Sequence, residues 1–296
     1  MIKMNWFYLS LAAAFFTAIT DVLNKIILQS LDEWLTIWLD LLVAIIFLMG
    51  FAPFFHFTFP GIEMYLVILE LLPLEILAYY LYMKAIKTSP LSLTIPLLAF
   101  TPAFTILTAG FLLGEGIGRN GVLGVFLVTM GAYILNGELI SNQLLDPIKA
   151  IFSVQGSRLM LFVAIIYSIT ATLGKKGVLL SDPFSFGLSY IIAQALALTC
   201  INLFRFTKNP SLATSLKDSR TLKLVLASGI SLAFIVITHY SAIKLAPVSY
   251  MISVKRLSLV MSVLFGWAIF KEENMRYRIS GSCLMLGGAI LLYLTV

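Results

Sequence analysis

Charged residues are scarce in this sequence: they make up 11% of its 296 residues, whereas 60% are hydrophobic. A soluble domain usually carries about 25% charged residues. Apolar runs of roughly 20 residues are long enough to cross a bilayer, and the sequence has about ten of them. The composition therefore predicts an integral membrane protein and leaves almost no length for a soluble domain.

Histidine and cysteine are equally scarce, with two of each. Cys200 and Cys283 lie in separate apolar segments, and the sequence has no CxxC pair, His/Cys cluster or haem-attachment spacing. It also lacks GxSxG and HExxH motifs, so the convergent groups of an embedded enzyme are missing. We therefore predict no metal, no cofactor and no enzyme activity. The net charge is +6, but the basic residues form no stripe, which argues against a nucleic-acid partner.

One block of the sequence occurs twice. Residues 85–135 align without a gap to residues 242–292, and 14 of the 51 positions are identical. The first helix has a partner as well, because Ile19, Thr20, Leu23 and Lys25 recur 150 positions later. This partner argues that the first helix is retained and is not a cleaved signal peptide. Two repeats in one membrane chain are typical of transporters.

Proline and glycine breakers divide the sequence into ten predicted helices. The helices are predicted near residues 5–28, 35–55, 61–87, 91–113, 120–136, 159–180, 185–205, 221–243, 248–270 and 276–295. The long polar stretch 137–158 is the predicted join between two domains, 1–140 and 156–296. Because five helices is an odd number, the second domain enters the membrane from the opposite side. We therefore predict an all-α membrane protein built as two inverted five-helix repeats around a central cavity.

Each copy of the repeat has three parts: an Ala-Ile-Lys-x-x-Pro-x-Ser motif, an apolar helix that ends in a glutamate, and a helix punctuated by glycines. The glutamates and glycines are Glu115, Gly121, Gly124 and Gly131 in one copy, and Glu272, Gly281, Gly287 and Gly288 in the other. This pattern resembles the EamA-type transporters of the drug/metabolite transporter superfamily. The resemblance implies a multi-pass protein of the cell membrane with a cavity lined mainly by helices one, three, four, six, eight and nine. It also implies a substrate among amino acids, nucleobases, sugar phosphates or drugs.

The embedded acids identified in the sequence, Asp21, Glu70 and Glu75, all fall in the first half. Their matched positions in the second half are Ala171, Ala227 and Leu232. We therefore expect no symmetric pair of proton-binding carboxylates.

Glu75 is the first candidate site residue, since a charge at the bilayer centre costs about 2.5–3.5 kcal/mol and an unneeded one tends to be lost. Tyr79 lies one turn further along and shares its helix face, whereas Glu70 is turned away from that face by about 140°. We predict that Glu75 and Tyr79 form a site for a substrate amine or a proton. The alternative is a buried carboxylate that is paired structurally.

Lys255 and Arg256 are the candidate anion-binding residues, about 11–12 Å into the ninth helix. Arg256 is the better clamp because its planar guanidinium can hold a carboxylate with two hydrogen bonds. The alternative is an internal ion pair with Glu75 or Asp21.

Several further polar residues fall within predicted helices. Asp21 and Lys25 are spaced for an intrahelical salt bridge, and Asn24 is placed to line the mouth of the cavity. His239 is predicted either as a hydrogen-bonded structural residue or as a proton relay. Gln194 is predicted to form a hydrogen bond across helices.

The helix-end glutamates, Glu115 and Glu272, are predicted to cap helices or stabilise an interface rather than bind substrate. Pro96 and Pro102 interrupt the fourth helix and free backbone carbonyls there. The ninth helix has Ser253 and Leu259 at the matched positions, so we expect any kink to be asymmetric.

These features predict a secondary transporter or exporter of a small polar, amino-acid-like metabolite that works by alternating access. Glu75 and Arg256 would hold opposite ends of the substrate, or pair with each other when it is absent. The predicted partners are a small molecule, the lipid bilayer and protons as a candidate coupling ion, with monomer and homodimer both open. The alternative is a membrane scaffold or assembly protein that does not transport.

Overall fold

A computed structural model of the chain describes residues 2–55, 57, 60–89, 95–135, 155–208, 218–261 and 275–295. These ranges are helical and contain no β-strand. The α-helices of the first half are α1 (Ile2–Ile27), α2 (Glu33–Phe51), α3 (Ile62–Thr88), α4 (Thr101–Leu113) and α5 (Arg119–Leu135). Those of the second half are α6 (Gln155–Leu179), α7 (Pro183–Lys208), α8 (Ser219–Leu245), α9 (Val248–Lys255) and α10 (Met275–Thr295).

Six of these helices are long and apolar enough to cross a bilayer: α1, α2, α3, α6, α7 and α8. The apolar segments Leu97–Leu113, Arg119–Ile134 and Ser280–Thr295 are shorter. The membrane class predicted from composition is confirmed, while the number of ten spans stays a prediction. The predicted join 137–158 falls almost entirely outside the described residues.

Aspartates begin the second helix of each half. Asp32 Oδ1 accepts hydrogen bonds from the backbone N–H groups of Trp34 (3.0 Å) and Leu35 (3.2 Å). Asp182 Oδ1 does the same for Phe184 and Ser185, both at 3.0 Å. Each carboxylate thus satisfies backbone donors that a helix N-terminus leaves unpaired. The 150-residue offset of the first helices therefore extends to these caps.

The fourth and ninth predicted helices are both irregular. Residues Ile95–Phe100 form a 3₁₀ helix, and α4 begins only at Thr101. The ninth helix, predicted as continuous over 248–270, is interrupted after Lys255: the N–H of Arg256 bonds to the Ile252 and Ser253 carbonyls. Residues 262–270 of that prediction lie outside the described ranges. The two breaks differ in form, in agreement with the expected asymmetry, but the break in the ninth helix was not predicted because it forms without a proline.

Most contacts between helices join one half to the other, and the main ones have an equivalent between the matched helices. α1 packs against α8, and the matched helices α6 and α3 pack against each other. The matched helices α2 and α7, α4 and α9, and α5 and α10 also contact one another. The two halves are therefore interleaved, and the centre of the molecule is built from both.

Glycines set the contact between α5 and α10. A Cβ atom at Gly288 would lie 2.8 Å from the Gly124 carbonyl oxygen, and one at Gly131 would lie 2.7 Å from the Gly281 carbonyl oxygen. Gly124 thus contacts Gly288, and Gly131 contacts Gly281. Residue numbers rise along α5 while they fall along α10, so the two helices run antiparallel. Small residues allow this close backbone approach between membrane helices.

Replacing Gly288 by Val is expected to destabilise the protein by about 1–3 kcal/mol, because the new side chain overpacks the α5–α10 contact. The matched control is Gly287→Val, since a Cβ atom at Gly287 meets nothing within 4 Å. Thermal unfolding of the detergent-purified variants measures the difference. Equal losses at the two neighbouring positions would contradict the contact.

Candidate functional site

A cavity of about 190 Å³ lies between the two halves. Its walls come mainly from α1, α3, α6, α7, α8 and α9, with Leu41 from α2 and with Leu98 and Thr101 from the irregular fourth segment. These are largely the helices that the resemblance implied. The space is enough for on the order of ten water molecules, which corresponds to a small solute.

All eight residues predicted as site residues line this cavity. They are Asp21, Asn24, Glu75, Tyr79, Gln194, His239, Lys255 and Arg256. Their role in binding a substrate stays a prediction. Glu70 is exposed on α3 and is not part of the lining, in agreement with its predicted angular separation from Glu75.

Asp21 and Arg256 form one charged part of the cavity. Both are buried, with 5% and 6% of their surfaces exposed. The Tyr82 hydroxyl donates a hydrogen bond to Asp21 Oδ1, and Arg256 Nη2 donates to Thr101 Oγ1 at 2.9 Å. Arg256 Nε is buried and has no hydrogen-bond partner among the described residues. The guanidinium therefore has donor capacity left for a ligand.

Glu75 and Lys255 form the second charged part. Thr170 and Tyr190 line the cavity together with Glu75, and the Oε2 atom of Glu75 is buried without a partner in the described part of the chain. Lys255 Nζ lies 3.4 Å from His239 Nδ1, and both residues line the same cavity. The cavity thus contains acid and base on opposing helices.

The predicted ion pair of Arg256 with Glu75 or Asp21 is not formed in this conformation. Among the described residues, the salt bridges join Lys87 to Glu33, Lys175 to Glu115 and Arg205 to Asp32. None of these six residues lines the cavity. The four charged cavity residues are therefore held by neutral hydrogen-bonding side chains instead of one another.

The expected salt bridge between Asp21 and Lys25 was wrong. Lys25 Nζ donates instead to the backbone carbonyls of Ile86 and Ser89, the latter at 3.0 Å. The C-terminus of α3 leaves carbonyls without intrahelical donors, and the ammonium group satisfies them. Asp21 is left free to accept from Tyr82.

Lys175, which matches Lys25, has the equivalent place in the second half. Its Nζ donates to the Ala246 carbonyl at 2.7 Å and pairs with Glu115. Glu115 Oε2 also accepts from the Val248 N–H at 2.9 Å, at the start of α9. The interface role predicted for Glu115 is confirmed, and Glu272 lies outside the described residues.

Tyrosines are the main lining residues that the sequence analysis missed. Tyr82, Tyr167 and Tyr190 join Tyr79 and Tyr240 around the cavity. The ring centroids of Tyr82 and Tyr167 are 6.4 Å apart. The spacing of Glu75, Tyr79 and Tyr82 on one helix face could have identified Tyr82. Gln194 lies on the same cavity wall as Tyr190, and the cross-helix hydrogen bond predicted for it stays a prediction.

Asp40 is a second residue that the sequence analysis missed. It is fully buried in α2 and lies outside the cavity lining. The statement that the embedded acids are only Asp21, Glu70 and Glu75 was therefore wrong. The available signal was an acid in the interior of the candidate span of highest mean hydropathy, 2.3, whose other acid, Glu33, is its first residue.

Apolar spans around a charged cavity define a multi-pass membrane protein with a polar interior. The model of the EamA-like transporter family matches residues 4–137 and 155–294, and the chain belongs to that family. It is therefore a membrane transporter of the drug/metabolite transporter superfamily, located in the cell membrane, and this membership points to a transporter rather than an enzyme. The predicted family and location are confirmed.

One relative agrees with this assignment, and one solved structure shares the fold. A protein of Archaeoglobus fulgidus described as an uncharacterized transporter is 26% identical over 251 residues, which cover 82% of each chain. A solved crystal structure superposes with a TM-score of 0.70 at 15% identity, covering 97% of this chain and 99% of the other. The second likeness shows the fold alone.

Proposed function

We propose that the protein is a secondary active transporter of a small zwitterionic metabolite, such as an amino acid. The observation that carries this proposal is a pair of unsatisfied charged atoms in one cavity, Glu75 Oε2 and Arg256 Nε. A buried charged group without a partner is costly. A solute with an ammonium group and a carboxylate would satisfy both atoms at once.

The balance of charge in the cavity supports a zwitterion over a simple cation or anion. Asp21 and Glu75 contribute two acids, while Lys255 and Arg256 contribute two bases. Tyrosine rings add hydroxyl groups and π-faces, and an ammonium group is attracted to such faces. A solute with only one charge would leave one side of the cavity uncompensated.

Two inverted repeats, 1–140 and 156–296, would give this cavity alternating access to the two membrane faces. The exchange of helix pairs between the halves supports a two-fold relation. The antiparallel crossing of α5 and α10 supports inversion, because these helices are repeat equivalents. Irregular backbone at Ile95–Phe100 and at Arg256 is the kind that transporters place beside a midplane site.

The test is counterflow of radiolabelled L-amino acids in proteoliposomes, with one amino acid of the twenty tested at a time. We expect exchange of at least one of them, and a reduction of about ten-fold or more in Glu75→Gln. Glu70→Gln is the matched control, since this acid on the same helix lies outside the cavity.

Analogues separate a zwitterion site from other substrate sites. The decarboxylated amine and the deaminated acid of the exchanged amino acid should compete poorly, because each leaves one charged atom unsatisfied. Exchange of none of the twenty amino acids would overturn the proposal, and a non-transporting scaffold would give that result. Equal competition by either one-ended analogue would also overturn it.

A further inference from the structure

Asp40 is the one described membrane-embedded acid that is fully buried and away from the cavity surface. Ser228 Oγ lies 2.8 Å from Asn24 Oδ1 and 3.1 Å from Asp40 Oδ2. Asp40 Oδ1 is buried and has no partner in the described ranges. Asn24 also lines the cavity, so the Asp40 carboxyl group is one side chain behind the cavity wall.

Counting hydrogens in this cluster points to a proton on Asp40. The Ser228 hydroxyl has a single hydrogen, yet it faces two oxygens that ordinarily accept. The Asn24 side chain presents its amide oxygen to Ser228, and this oxygen can only accept a hydrogen bond. If the Ser228 hydrogen goes to Asn24, the contact between Ser228 and Asp40 needs a hydrogen from the carboxyl group. A neutral acid gives a consistent chain from Asp40 Oδ2–H to Ser228 Oγ–H to Asn24 Oδ1.

The helices around α2 bring no cation to Asp40 within the described part of the chain. α8 contributes Ser228 and α1 contributes Asn24. α3 contributes the uncharged Tyr79 phenol, which is near enough to Asp40 for an electrostatic interaction. The charged residues that α7 and α3 set against α2 lie at its N-terminal end, in two ion pairs, Arg205–Asp32 and Lys87–Glu33. A carboxylate in this place would be an unpaired buried charge, which membrane proteins rarely tolerate.

We propose that Asp40 is a proton-binding site, distinct from the substrate cavity, through which transport is coupled to protons. The coupling rests on the transport function proposed above, whereas the proton site stands without it. On release, the proton leaves Oδ2 for water in the cavity, and the Ser228 hydroxyl turns from Asn24 to the carboxylate. The Asn24 oxygen then loses its donor and is offered to the cavity.

The packing around Asp40 shows how its charge would bias conformation. A Cβ atom at Gly229 would lie 2.9 Å from the Asp40 carbonyl oxygen, so α2 and α8 are in close contact at this level. A neutral Asp40 suits this dry contact, whereas an anionic one favours any state in which α2 and α8 admit water. A ligand shifts a conformational equilibrium by its differential affinity for the two states, and the proton meets that condition here.

Infrared difference spectroscopy of the detergent-purified protein tests the proton site directly. At neutral pH, wild type minus Asp40→Asn should show the C=O band of a neutral carboxylic acid, and wild type minus Glu33→Gln should not show that band, because Glu33 pairs with Lys87. Ser228→Ala keeps Asp40 and should shift the band, since Oδ2–H loses its acceptor. Carboxylate bands in the first difference spectrum, or no shift in Ser228→Ala, would overturn the proton site.

Proteoliposomes with an imposed pH gradient test the coupling, using the amino acid identified by counterflow. Asp40→Asn resembles the protonated acid, so it should keep counterflow within about two-fold while gradient-driven accumulation falls about ten-fold or more. Gradient-driven accumulation retained in Asp40→Asn, or absent in wild type, would overturn the coupling. Absence of counterflow in wild type would instead overturn the proposed function, and the infrared result would stand on its own.

Discussion

Replacing Arg256 by Gln is expected to reduce amino-acid counterflow by about 30-fold or more, the largest effect of any single substitution in the cavity. Truncating one partner of a buried, hydrogen-bonded charge pair costs about 2–5 kcal/mol, and each 1.4 kcal/mol corresponds to about ten-fold in affinity. Arg256 is 6% exposed and keeps an unused buried Nε atom. The substrate carboxylate is the partner that it would lose.

The loss should be graded by the shape of the side chain. Arg256→Lys retains the charge but not the planar fork, so we expect activity between those of wild type and Arg256→Gln. Arg205→Gln is the matched control, because Arg205 pairs with Asp32 and does not line the cavity. Wild-type counterflow in Arg256→Gln, with Arg205→Gln also active, would remove Arg256 from the site.

Much of the architecture could be predicted because the repeat is visible in the amino-acid sequence itself. Identical residues at a fixed offset relate the halves, and apolar runs delimit the helices. Helical periodicity alone placed Glu75 and Tyr79 together in the cavity and Glu70 outside it. Which residues share a face depends only on the geometry of one helix, so the sequence alone is enough to predict it.

Predictions that depended on how two helices meet were less successful. Lys25 has a plausible partner four residues away, yet its ammonium group reaches unpaired carbonyls at the end of α3. Asp40 looks like an isolated acid until α1 and α8 bring Asn24 and Ser228 to it. No proline in the sequence indicates the helix break at Arg256. Tertiary contacts decide each of these cases, and neither local spacing nor composition reveals them.

Glu115→Gln is expected to destabilise the protein by about 3–5 kcal/mol. This is a larger loss of stability than the one expected for Gly288→Val. The Glu115 side chain is 18% exposed and pairs with Lys175, whose side chain is 9% exposed. Removing one partner of a buried pair leaves the other charge uncompensated. Glu115 also accepts the Val248 N–H, so the substitution weakens the junction of α4, α6 and α9. Thermal unfolding of purified protein measures the loss.

An ion pair with a more exposed lysine provides the control for this prediction. Glu33 and Lys87 are 3.4 Å apart, and Lys87, the charge that Glu33→Gln leaves unpaired, is 35% exposed against 9% for Lys175, so this substitution should cost no more than about 1 kcal/mol. The double variant Glu115→Gln with Lys175→Met should recover part of the stability, because no buried charge is then left unpaired. A double variant as unstable as the sum of the two single variants would contradict an ion pair. Stability would then depend on the bonds of Glu115 to Val248 and of Lys175 to Ala246, each acting alone.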